Sequence, residues 1–313
     1  MENYYYKIKF FILDHILILL LLLYSLWLNK KIFIISCPYG RWGNRLMLFS
    51  YMLAWAKQHD AIVFNPSFIE YDKYFKNFDS NVVGIMPNNF SKQILIPQNI
   101  LKFVNDSFIR ISYRKLKITN VYSFNLESEN DHYQSKSFQN LLSSYKIIFF
   151  HGFLFGQRNF NLVKVLRKDL NSLFEFSDNI QIRAIEILNL IKKPKIVGVC
   201  MRQGDYKNHF GGKLFLNDYE YKILIDRVQR LFGGDYGVFV ASEEMKENPI
   251  HHGAYFNYGD PAVNLCTLSK CDYLIGPAST FMTWASFINN VKTCYIDRDN
   301  FRTKELVFHE TTF

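Results

Sequence analysis

The strongest constraint on this chain is the alternation of short, buried-strand-like apolar runs with longer stretches of helical spacing. Ile32 to Ser36, Ala61 to Phe64, Ile147 to His151, Ile196 to Met201, Gly237 to Ala241, Tyr273 to Gly276 and Thr293 to Ile296 read as strands. Between them a helix begins near Asn44, with Leu46, Phe49, Leu53 and Ala56 spaced for one face. Leu162 to Phe174, Ile180 to Ile191, Asn217 to Leu231, Asn264 to Lys270 and Thr280 to Asn289 are further helical stretches. Strands that alternate with helices predict an α/β fold with parallel sheets covered on both faces. One βαβ unit is complete before residue 70 and another starts after Lys193-Pro194-Lys195. Two domains facing each other follow, over residues 31–192 and 193–313. Residues 70–145 are polar and Asn/Ser/Lys-rich, with no period that assigns elements.

Ahead of this pattern, Phe10 to Leu28 is almost wholly apolar, with Lys7 and Lys9 before it and Asn29, Lys30 and Lys31 after it. A helix of about 19 residues rises about 28 Å, close to the hydrocarbon thickness of a bilayer. Residues 1–30 are therefore expected to be a single-pass N-terminal membrane anchor. Asp14 and His15 oppose that reading, although they lie near one end, where a polar group can snorkel. A signal peptide and a buried core helix are the competing readings. Ser25-Leu26-Trp27 is a poor cleavage site, and so unbroken a Leu run is unusual for a core. The flanking lysines are balanced, so the sequence does not choose whether the rest of the chain faces the cytoplasm, from a bacterial inner membrane, or the lumen, from a Golgi membrane.

The formal charge of +9 suits an anionic membrane surface or a phosphate-bearing substrate. Nucleic acid is disfavoured, because the cations are scattered and no zinc-finger spacing or RNP-like segment occurs. Five cysteines in no framework spacing do not require disulfides, and Cys266 and Cys271 would point to different helix faces. There is neither a G-x-S-x-G nor an H-E-x-x-H segment, and His251-His252 lacks a third ligand, so no metal site is expected.

Three segments could carry chemistry. Gly40-Arg41-Trp42-Gly43-Asn44-Arg45 joins a strand to a helix. Gly40 and Gly43 allow close backbone approach, and the helix start offers N–H groups to an anion; the alternative is an ordinary turn with Asn44 as N-cap. In Arg202-Gln203-Gly204-Asp205, just past a strand, Arg202 can grip a diphosphate with its planar fork and Asp205 can accept a proton or orient a hydroxyl. The alternative is an Arg–Asp pair that ties down a loop. In Gly276-Pro277-Ala278-Ser279-Thr280, hydroxyls and free N–H groups meet at a helix start as an uncharged phosphate cradle, or Ser279 and Thr280 simply cap. Ser242 and Glu243 follow another strand, where Glu243 and Glu244 could touch a ribose or base or be solvated.

In order, these segments resemble the α-1,2-fucosyltransferases, glycosyltransferase family 11. The family's Gly-x-x-Gly-Asn loop is matched by Gly40, Gly43 and Asn44. Its strand plus His-x-Arg-Arg-x-Asp hallmark is matched by Arg202 and Asp205, with Cys200 and Gln203 in place of the His and second Arg. Its Leu-Met-Ser-x-Cys and Asn-Ser-Thr-Phe-Ser-Trp-Trp block is matched by Thr267 to Cys271 and by Ala278 to Trp284. His151-Gly152-Phe153-Leu154-Phe155-Gly156-Gln157 is similar to its Gly-Tyr-aromatic-Gln segment. Arg45 stands where the family has Gln, which would place a charge near the one lost at Gln203. The resemblance implies a GT-B-like fold of two Rossmann-like domains, with the first on the acceptor side and the second binding the nucleotide sugar. It also implies inverting, metal-independent transfer of fucose from GDP-fucose to a glycan hydroxyl, with no cofactor beyond that donor. Catalysis would rest on Asp205 and Arg202, and donor binding on Arg202, Gln203, Gly40, Gly43, Asn44, Ser242, Glu243, Ser279 and Thr280. A transferase using another nucleotide sugar and an inactive nucleotide- or glycan-binding protein are the alternatives.

Overall fold

The structure is a computed structural model, and it describes residues 2–79, 81–113, 118–126, 136–153, 160–243 and 253–310. The chain divides into two compact units, Met1–Glu175 and Phe176–Phe313.

The first unit opens with α1 (Glu2–Leu28), β1 (Lys31–Ile35), α2 (Trp42–Gln58) and β2 (Ala61–Phe64). It continues through β3 (Val82–Met86), β4 (Asn89–Leu95), α3 (Gln98–Tyr113), β5 (Val121–Asn125), α4 (Lys136–Ser144) and β6 (Ile147–His151), and ends in α5 (Phe160–Val165) and α6 (Arg167–Leu173). Its sheet has the order β4-β3-β2-β1-β6-β5. β2, β1, β6 and β5 are parallel, as the alternation predicts. β3 and β4 add an antiparallel hairpin at one edge of this parallel-rich sheet. These two strands lie in the stretch that the sequence left unassigned. β4 is an edge strand with no buried residue, and its polar side chains (Asn89, Ser91, Lys92) erase the apolar signature. The helix expected over Leu162 to Phe174 is two short helices broken at Leu166. Between β2 and β3, Phe68, Phe75 and Phe78 pack with Phe174, and Trp42 meets Tyr71 and Tyr74 edge-on. Part of the high aromatic content is thus spent fastening this polar segment to α2 and to the chain after α6.

α1 is docked on this unit. Ile18 and Leu21 join Ile32, Ile34, Phe108 and Phe149 in one core cluster. Asp14 is fully buried and accepts from the Arg110 guanidinium at 2.7 and 3.1 Å, while Arg110 also reaches Ser107 Oγ at 2.7 Å. The carboxylate that opposed a helix in lipid is therefore paired against α3.

The second unit comprises α7 (Asp178–Ile191), β7 (Lys195–Met201), α8 (Asp218–Phe232), β8 (Tyr236–Ser242), β9 (Ala254–Tyr258), α9 (Pro261–Ser269), β10 (Tyr273–Pro277), α10 (Thr280–Asn289) and β11 (Lys292–Ile296). α7 precedes the Lys193 punctuation yet packs on α9, so the compact unit begins at Phe176 rather than at residue 193. Its five strands run β11-β10-β7-β8-β9, all parallel. β9 was not legible: every residue in it is only half-buried. From β7 the chain winds outward through β8 and β9, then returns to the other side of β7 for β10 and β11. The winding reverses between β7 and β10, and open α/β sheets bind ligands just beyond the strand ends at such a reversal.

Candidate functional site

The residues that follow β7, β8 and β10 meet at that edge of the second sheet. Arg202, the first residue past β7, extends its side chain to Glu243, just past β8, and to Asp205 Oδ1 at 3.2 Å. Its guanidinium also lies 4.9 Å from the centre of the Tyr206 ring. Its backbone N–H donates to Tyr221 Oη at 2.9 Å, so α8 fixes the base of the side chain. Arg202 Nε is buried and has no hydrogen-bond partner. A guanidinium held by two carboxylates with a donor to spare is poised for an anion with several oxygens.

Ser279 is the N-cap of α10: its Oγ accepts from the Met282 N–H at 3.1 Å. Capping, one of the two readings of this residue, is thus observed. The cap uses the Met282 N–H of the first turn, where backbone N–H groups of a helix have no intrahelical acceptor. Thr283 Oγ1 donates back to the Ser279 carbonyl at 2.8 Å, and Tyr206 Oη donates to the Ala278 carbonyl at 3.1 Å. The β7 and β10 loops are tied together by that tyrosine, which sequence reasoning missed although it ends the Arg-Gln-Gly-Asp run. Also missed was Asn264 in α9, whose amide donates to the Ser242 carbonyl at 3.3 Å and holds the end of β8.

Gln203 turns elsewhere. Its amide nitrogen donates to the Leu216 carbonyl at 3.0 Å and to Asp218 Oδ1 at 2.8 Å, at the start of α8. With Gly204, Lys207, Phe215, Asn217, Asp218 and Tyr219 it lines a cleft of about 570 Å³. The Asn217 side chain and Glu220 form a reciprocal capping box there, so this helix start is already satisfied.

Gly40, Gly43 and Asn44 belong to the first unit, at the end of β1. Gly40 has φ +60°, and a Cβ there would meet Asn44 Nδ2 at 2.2 Å. Glycine is required twice over, by conformation and by space. Asn44 is not the N-cap: Arg41 occupies that position and Asn44 lies inside the first turn, beneath Gly40. Arg45 donates to the carbonyls of Gly40 (3.1 Å) and Ser67 (2.8 Å), pairs with Glu70 and lies over Tyr71. Its fork is occupied within its own unit. Residues 154–157 of the aromatic segment, Glu244 and the His251-His252 pair lie outside the described residues. Among the described residues, no three His, Cys, Asp or Glu side chains gather as metal ligands.

All five cysteines are free, and Cys200, Cys266, Cys271 and Cys294 are buried. Burial pushes the Cys200 thiol up, although Arg202 pulls the other way, and it pushes Cys266 up to about 11. A raised thiol is neutral at physiological pH, so Cys200 cannot act there as a base or an anion. Native protein treated with maleimide at pH 7.5 should label at the half-buried Cys37 first. The other four should react only on unfolding, as peptide mapping would show; early labelling of Cys200 would contradict this packing.

A tandem of α/β units, the second with its strand-end cluster at a chain reversal, defines the GT-B-like architecture. The family model for glycosyl transferase family 11 matches residues 69–313, and the chain belongs to that family; it is a glycosyltransferase. No curated protein matches it by sequence. Among solved structures it is similar to a variant of Arabidopsis thaliana FUT1 in complex with GDP, with TM-score 0.55 and 14% identity over 84% of this chain and 70% of that one. It is also similar to the alpha-1,6-fucosyltransferase NodZ soaked with GDP-fucose, with TM-score 0.52 and 12% identity over 90% and 99% of the two chains.

Proposed function

We propose that this enzyme transfers fucose from GDP-fucose to a hydroxyl of a glycan acceptor, with inversion, without a metal and in α-1,2 linkage. The observation that carries the proposal is Arg202 at the sheet reversal, with an unpartnered Nε and the α10 start at the adjacent strand end. Family membership and the GDP and GDP-fucose of the two solved relatives support the choice of donor.

In this reading the diphosphate takes the place of carboxylate oxygens around Arg202. As the bond from the sugar to the β-phosphate breaks, the guanidinium fork and the N-terminal end of α10 stabilise the charge left on the leaving group. Asp205, exposed enough to meet an acceptor, takes the hydroxyl proton or orients that hydroxyl. Ser242 and Glu243 would border the nucleoside end, while Gly40, Gly43 and Asn44 shape a loop of the first unit. Gln203 serves the donor indirectly, by fixing the loop before α8. Membrane attachment through residues 10–28 belongs to the same reading: Lys9–Leu28 has mean hydropathy 2.3.

The test uses the full chain in detergent, because α1 contributes to the core. GDP at a hundredfold excess over its Kd should raise stability by about 2.7 kcal/mol, whereas UDP and CMP should do little. GDP-fucose should then be consumed in the presence of acceptor glycans. Stabilisation by UDP but not GDP would sink the fucose reading. GDP binding with no turnover across a broad acceptor panel would favour an inactive nucleotide-binding protein, the reading that Cys200 and Gln203 motivate.

A further inference from the structure

Two faces of α1 differ in a way that length and hydropathy do not disclose. Asp14, Ile18, Leu21 and Ser25 are buried, and at about 100° per residue they form one narrow stripe. That stripe contains the polar side chains Asp14 and Ser25, and both are satisfied internally: Asp14 by Arg110, and Ser25 Oγ by the Lys30 carbonyl. Between Phe10 and Leu28 the exposed residues are Phe11, Ile12, Ile16, Leu19, Leu20, Leu23, Leu26 and Trp27, every one a large hydrophobic. Most of them lie on the side opposite the buried stripe. The helix is inside out with respect to water, its polar groups turned inward and its apolar groups outward.

We infer that α1 lies in the plane of a membrane surface, with its outer face in the lipid and its inner face docked on the first unit, rather than crossing the bilayer. This rests on the membrane attachment proposed above and specifies its geometry. To span, α1 would have to leave the sheet along its length, carrying the Asp14 carboxylate into lipid and leaving Arg110 behind. Docked, it needs no such step. Lipid fits the outer face better than a second protein, because protein interfaces carry hydrogen bonds and a polar rim, and this face offers only the Trp27 indole and the half-buried His15, whose Nδ1 lies 2.7 Å from the Phe11 carbonyl within the helix. Tyr24 and Trp27, 6.1 Å apart at the C-terminal end, suit the headgroup boundary, where amphipathic rings collect. The exposed Lys9 at the other end and the +9 charge of the chain suit anionic headgroups.

Of the four tryptophans, Trp27 is 79% exposed and Trp42, Trp55 and Trp284 are buried. Quenching by brominated lipids therefore reports on α1. Full-length protein is bound to vesicles of phosphatidylcholine and phosphatidylglycerol brominated at graded depths. It is compared with Ile12→Trp and Leu19→Trp variants in a Trp27→Phe background; all these positions are exposed, and unchanged thermal unfolding verifies the fold. The in-plane arrangement predicts the same shallow depth for positions 12, 19 and 27, and at least a tenfold loss of vesicle-bound protein in Leu19→Glu/Leu23→Glu. A profile deepest at Leu19, with the two ends shallow, would overturn it in favour of a spanning helix while leaving membrane attachment intact. Absence of quenching would overturn both, and a dimer dissociated by the double Glu variant would identify a second copy as the cover.

Discussion

Arg202→Ala is expected to abolish measurable GDP binding and lower kcat by about 10²–10³-fold, the scale of losing one oxyanion-stabilising donor. The fold should survive. The side-chain partners of Arg202, Glu243 and Asp205, are exposed enough to be solvated once it is gone, and pairs of that kind contribute about 0–1 kcal/mol. The hydrogen bond to Tyr221 Oη comes from the Arg202 backbone, so the substitution leaves it in place. Arg202→Lys should recover only part of the binding, because an ammonium is a point donor and cannot bridge two phosphate oxygens in one plane. Calorimetric titration with GDP, alongside far-UV circular dichroism, separates loss of site from loss of fold. If Arg202→Ala binds GDP as well as the parent, the site lies elsewhere.

Arg202 and the end of β10 were legible because both obey local rules. A run of apolar residues that stops at a charged or glycine-rich turn marks a strand end, and a Ser-Thr pair before an apolar helix marks an N-cap. What the sequence could not show was set by tertiary partners. Gln203 has the spacing of a donor ligand, yet Leu216 and Asp218 claim its amide. Asn44 has the composition of an N-cap, yet the chain enters α2 at Arg41, and Gly40 leaves room for Asn44 one turn in. Arg45 reads as a spare charge until Glu70 and the Ser67 carbonyl, some twenty residues on, are seen to use it. In the β3–β4 hairpin, β4 escaped notice for a different reason: an edge strand open to solvent has no need of apolar residues on both faces, so it carries no signature of burial; β3 is apolar and buried, but it is only five residues long and set in a polar stretch. Asp14 is the sharpest case. From the sequence it is a defect in an anchor, and in the structure it is one of the contacts that dock the helix.

The second large effect concerns Gly276, in β10 beside the reversal. A Cβ built there would lie 2.6 Å from the Cys200 carbonyl oxygen and 3.1 Å from Cys200 Cβ. The nearer obstacle is backbone of the paired strand, which cannot swing aside as a flexible side chain would. Gly276→Ala must therefore push β10 from β7, at about 1–3 kcal/mol for overpacking a tight core, which should lower Tm by about 5 °C in a unit of this size. Gly234→Ala is the control, since nothing lies within 4 Å of its added methyl group. The displacement should also reach the site. Ser279 and Thr280 lie two and three residues past β10, and Arg202 follows β7, so separating the strands moves the α10 start away from the guanidinium. GDP affinity measured well below Tm should fall about tenfold in Gly276→Ala and stay unchanged in Gly234→Ala. Lost stability with donor affinity intact would show that the two strand ends need not be held in register to bind the nucleotide. That outcome would confine the anion site to Arg202 and its immediate neighbours.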